Sequence, residues 1–126
     1  VPPIFTDFYD RLESFGGRVV FNEVQRQFSI PDKDEDMIAR YLNYTYPYGM
    51  EGRLEDIRWA IRERSLDGLI HYTQTFCFRQ IYDMILKQSI SLPILTLEGD
   101  RPGPVDQRTA VRLETFMEIL KERKSR

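Results

Sequence analysis

The fold class this sequence predicts is α/β, a small parallel sheet flanked by helices. Two observations carry that expectation. Short runs rich in β-branched and aromatic residues are separated by helix-length stretches with apolar residues at 3–4 spacing. The order of these runs is helix, strand, helices, strand, helix, strand, helix, an alternation that argues a parallel sheet with right-handed crossovers. The expected architecture is three-layered, with about three or four strands in a Rossmann-like or flavodoxin-like arrangement.

Each element has its own warrant. Ile4, Phe5, Phe8, Leu12 and Phe15 fall at helical spacing, with Thr6 or Asp7 placed to cap and Gly16-Gly17 placed to stop the helix. Arg18 to Val24 is built on Val19, Val20 and Phe21 and predicts a first strand. Ser29 to Asp34, with Pro31, reads as a loop. Asp34 or Asp36 caps a second helix through about Tyr44, with Met37, Ile38, Tyr41 and Leu42 inward. The run Tyr44-Thr45-Tyr46-Pro47-Tyr48-Gly49 is a loop. A third helix covers about Glu51 to Arg64, a second strand Leu69 to Thr73, and a fourth helix about Phe76 to Gln88, with Phe78, Ile81, Tyr82 and Ile85 on one face. Pro93 to Leu97 predicts the third strand. Gly99 to Val105 is a Pro- and Gly-rich loop, and Asp106 caps a last helix with Ala110, Leu113, Phe116, Met117 and Leu120 as its apolar stripe.

The 126 residues suit one domain, and 41% hydrophobic content is enough for a core. A formal net charge of -2 with interspersed signs argues against nucleic acid. No apolar run reaches a membrane span. One cysteine excludes an internal disulfide and fits a reducing, cytoplasmic setting. The chain opens on Val1, and we read residues 1–126 as a single α/β domain forming the C-terminal fragment of a longer chain.

Parallel sheets bind ligands outside the carboxyl ends of their strands. The first strand ends into Glu23, Gln25 and Arg26, the second into His71, Thr73, Gln74 and Cys77, and the third into Glu98, Asp100 and Arg101. The three sets are expected on one edge. Cys77 stands at a strand-to-helix turn, where helical N–H groups favour a thiolate. A thiolate there serves as nucleophile, metal ligand or one corner of an iron–sulfur site; a lone Cys is usually a small buried hydrophobe. His71 in isolation reads more often as a histidine satisfied by a neighbouring helix. Phosphate-cradling glycine motifs, HExxH and CxxC are all absent, so nucleotide and self-contained zinc or dithiol sites have no sequence support.

The ordered series Asp67-Gly68-Leu69-Ile70-His71, Phe76-Cys77-Phe78-Arg79, Leu92 to Asp100, Arg108-Thr109 and Arg112 to Glu118 resembles the C-terminal domain of the 2-hydroxyacyl-CoA dehydratase D-component family. That family includes subunits of 2-hydroxyglutaryl-CoA dehydratase and benzoyl-CoA reductase. Arg18 to Glu23 and Tyr44 to Gly49 look like the same domain in one branch; the Tyr-Pro loop and Gln25 to Phe28 depart from the better-known dehydratase subunits.

The resemblance implies a [4Fe–4S] cluster held by three cysteines, with Cys77 as one ligand and the other two on upstream domains. It implies a homologous partner subunit and an ATP-dependent activator that passes one electron to the cluster. The acyl-CoA thioester is then reduced to a ketyl radical and loses water. His71, Gln74 and Glu23 would neighbour cluster or substrate. Two other readings stand beside it. One is a non-catalytic α/β assembly or electron-transfer domain, with the sulfur enclosed by Phe78, Ile81 and the core. The other is a cysteine hydrolase, with His71 within hydrogen-bond reach of the sulfur.

Overall fold

The computed structural model describes residues 3–29, 36–42 and 49–126. The chain divides into two compact units, one formed by Val1–Val19 with Leu66–Arg126 and the other by Val20–Ser65. Most of the expected Ser29–Asp34 loop, the alternative cap Asp34 and the tyrosine-rich run through Tyr48 lie outside the described residues.

The first unit is built on two parallel strands, β1 (Leu69–Thr73) and β2 (Ile94–Glu98), in the register Leu69↔Ile94 through Thr73↔Glu98. Side chains alternate across the pair. Ile70, Tyr72, Leu95 and Leu97 face a core shared with Phe8 and Leu12 of α1 (Phe8–Ser14) and Leu113 and Met117 of α6 (Gln107–Lys124). Leu97 and Leu113 are fully enclosed, and each such burial stabilises by about 1.5–3 kcal/mol. His71, Thr73 and Thr96 occupy the opposite face. His71 and Thr96 there meet Asp83 of α5 (Tyr82–Ser89). Helices thus cover both faces of a small parallel sheet.

Several local signals act as expected. Asp106 accepts from Thr109 N at 2.7 Å and starts α6. Gly16 takes φ +84 after α1, a conformation glycine adopts at little cost. Asp7 precedes α1, but its side chain turns away to accept from Val105 N at 2.6 Å, tying the α1 entry to the loop before α6.

The second unit contains α2 (Glu23–Gln27), α3 (Met37–Leu42) and α4 (Met50–Arg64). It corrects the strand expected at Arg18–Val24. No strand forms there among the described residues; Val19 and Val20 stay exposed, and Asn22 caps α2 by accepting from Val24 N at 3.0 Å. A β-branched run needs a partner edge; here Arg18–Asn22 stays irregular and the Asn22 cap starts a helix at Glu23. The described sheet therefore has two strands, not three or four. Asp36 caps α3 through Ile38 N, yet Met37, Ile38 and Tyr41 are exposed rather than inward. Leu54, Ile57 and Ala60 of α4 are buried. Trp59 is half exposed, with the Arg64 guanidinium 5.5 Å over its ring.

Candidate functional site

The in-register pair Thr73 and Glu98 closes the sheet at its carboxyl edge. Gly99 follows, packed so tightly that a Cβ would lie 2.7 Å from the Phe5 ring. The polar sets of β1 and β2 meet at this edge as expected. Asp100 accepts from both the N–H and the hydroxyl of Thr75, joining the two strand ends. Those bonds hold the Asp100 carboxyl below its usual range. Cys77 follows two residues later. Its N–H donates to Gln74 O at 3.0 Å, and its own carbonyl accepts from Gln80 N at 2.9 Å.

The thiol is half-buried. Among the described residues no side chain hydrogen-bonds the sulfur, which leaves the hydrolase reading without its base. Phe76 lies in the left-handed region at φ +63 and is 99% exposed. Phe78 and Ile81 are also exposed. Phe78 and Ile81, the side chains expected to enclose the sulfur if Cys77 were a packing residue, thus face solvent.

The helix expected from Phe76 is replaced by a single 3-10 turn, Phe78–Ile81, running into α5. Cys77 is the N-cap of that turn in extended conformation. The expected stack of helical N–H groups behind the sulfur shrinks to one turn, and the dipole argument weakens with it.

His71 is 7% exposed, and its Nδ1 lies 2.9 Å from Asp83 Oδ1. Asp83 also accepts from Thr96 Oγ1 at 2.5 Å and pairs with Lys87 Nζ at 2.5 Å. Burial opposes ionisation of Asp83, but the bonds from Lys87, Thr96 and His71 win and hold its carboxyl at about 2. An ionised carboxylate only accepts, so Nδ1 of His71 carries the proton. His71 is thus the satisfied histidine of the plainer expectation. Along the same face Gln80 Nε2 donates to Glu98 Oε1 at 3.1 Å. An open groove lined by Gln80, Asp83, Lys87, Thr96, Arg108 and Arg112 is the solvent side of this seam. Sequence reasoning missed Asp83, Thr96 and Gln80. The usable signal was the spacing of three between Asp83 and Leu86, the positions α5 turns toward the sheet.

Glu23, expected at a strand end, is not carried by a strand. It opens α2 and binds Arg53 through two bonds of 2.5 and 2.7 Å. Arg26 pairs with Asp56 at 2.8 Å.

A four-iron cluster needs several thiolates. The chain has one cysteine, and among the described residues no group of three His, Cys, Asp or Glu side chains is placed to hold a metal. The donor set fits one corner of such a cluster and no more. Nor is any helix among the described residues long and apolar enough to cross a membrane.

The thiol therefore stands at the carboxyl edge of a parallel α/β unit, with no side chain bonded to it among the described residues. The family model for the 2-hydroxyglutaryl-CoA dehydratase D-component matches residues 1–120, and the chain belongs to that family. No curated protein and no solved structure matches it.

Proposed function

We propose that this chain is the C-terminal, cluster-facing domain of a 2-hydroxyacyl-CoA dehydratase or benzoyl-CoA reductase type subunit, with Cys77 as one of three thiolate ligands of a [4Fe–4S] cluster. The observation that carries the reading is the sulfur itself: half-buried at the strand-end edge, without a hydrogen-bonding side chain among the described residues and beside exposed apolar groups. When bound, the cluster supplies one-electron chemistry toward an acyl-CoA. This chain's residues do the placing. Asp100 clamps Thr75 to the end of β2, and the Gln74 and Gln80 backbone bonds fix the turn that offers the thiol. Upstream domains of the same chain bring the other two cysteines, a homologous subunit completes the assembly, and an ATP-dependent activator delivers the electron in the cytoplasm.

The test is Cys77→Ser in the full-length protein, purified without oxygen. Bound iron and sulfide should fall and the paramagnetic signal of the reduced cluster should vanish, with the circular dichroism spectrum unchanged. Wild-type iron content in the variant would defeat the reading and leave a non-catalytic α/β domain.

A further inference from the structure

The segment that follows the thiol is not held by the hydrophobic core. The 3-10 turn Phe78–Ile81 has no buried residue, and α5 buries only Leu86. Its attachment to the sheet is instead a polar seam. Thr96 and Glu98, two residues apart on one face of β2, bind Asp83 and Gln80, three residues apart on one helical face. His71, in register with Thr96 across the ladder, binds the same Asp83 carboxylate. The seam fixes the segment at one end, and the Cys77 carbonyl accepts from Gln80 N at the other. Displacement of Asp83 therefore moves the turn that carries the sulfur, while α1 and α6 keep their apolar seats.

We propose that Asp83 is the positioning residue of the Cys77 turn, setting where the thiol stands by tying the following helix to both strands. The inference deepens the cluster reading and rests on it for its consequence at the metal centre. Its structural half depends only on the seam. Hydrogen bonds to a charged acceptor resist local opening more than neutral ones, and opening of a short segment exposes its amides independently of the global transition.

Two readouts test it in the full-length protein. Hydrogen exchange on peptides spanning 74–84 and 107–124 is compared between wild type and Asp83→Asn. Exchange of the first peptide should accelerate about tenfold, with the second unchanged. Gln80→Ala, which cuts the seam without touching the buried histidine, should act in the same direction more weakly and covers the case in which Asp83→Asn fails to fold. In both variants the cluster should keep its iron while the g values of its reduced state shift. Unchanged exchange at 74–84, or a loss of protection shared equally by 107–124, overturns the proposal, as does an unaltered paramagnetic spectrum at full iron loading. Retention of iron by Cys77→Ser would instead sink the cluster reading, with the exchange result still deciding the structural half.

Discussion

Two helical segments lie against the same pair of strands and are held by opposite means. α6 packs Leu113 and Met117 into the core beside Leu97, and its N-terminus is closed by Asp106. The stretch from Cys77 through α5 leaves Phe78, Ile81 and Met84 exposed and is tied down through Asp83 and Gln80. Apolar burial is insensitive to pH and costly to remove. A polar seam is directional, titratable and locally breakable. The difference puts the rigid part of the unit behind the sheet and the adjustable part beside the thiol.

The sharpest way to break this contrast is to cut the apolar seat. Leu113→Ala empties an enclosed position and should cost about 2–5 kcal/mol, read as a lower urea midpoint for the whole unit. If the contrast holds, exchange at 107–124 rises with the global loss, while exchange at 74–84, which follows local opening, changes little.

Acid should separate the two segments next. The Asp83 carboxyl is held at about 2 against an ordinary 3.8. A depressed folded value gives stability that is fully present above the ordinary value and is lost as pH falls through the folded one. Between about pH 4 and pH 2 the seam should therefore weaken by about 1–2 kcal/mol, the lower end reflecting solvent screening of the half-exposed Lys87. Asp83→Asn should flatten that part of the acid titration, followed by near-UV circular dichroism. An unchanged acid limb would show that the seam's charge contributes nothing to stability.

How far the sequence disclosed this arrangement follows from the same contrast. β1, β2 and α6 were legible because their apolar periods and the Asp106 cap are satisfied by neighbours inside the unit. The run at Arg18–Val24 carries equal β propensity but pairs with no strand among the described residues, and the Asn22 cap starts α2 at its end. The apolar spacing of Phe78 and Ile81 points to an inward face, whereas the groups turned to the sheet are Leu86 and the carboxylate of Asp83. A charged residue four before a lysine reads as a solvated pair; only the facing strands show that its other oxygen binds His71 and Thr96. Cys77 follows β1 at the carboxyl edge because strand-end topology needs only the two strands that form, whereas Glu23 opens α2 instead of ending a strand.

The finest distinction concerns Phe76, whose ring is almost wholly exposed although its backbone lies in the left-handed region. That conformation costs a non-glycine residue roughly 1–2 kcal/mol. Glycine removes the strain but loses more chain entropy, about 0.5–1 kcal/mol. Phe76→Gly should therefore raise stability by a few tenths to about 1 kcal/mol, seen as a small increase in urea midpoint with no change in slope. Such a gain would mean the ring contributes nothing to the fold and that the strained turn is tolerated for what it does outside it. A loss of stability would mean the ring packs after all, and the turn beside the thiol would then share the apolar anchoring of α6.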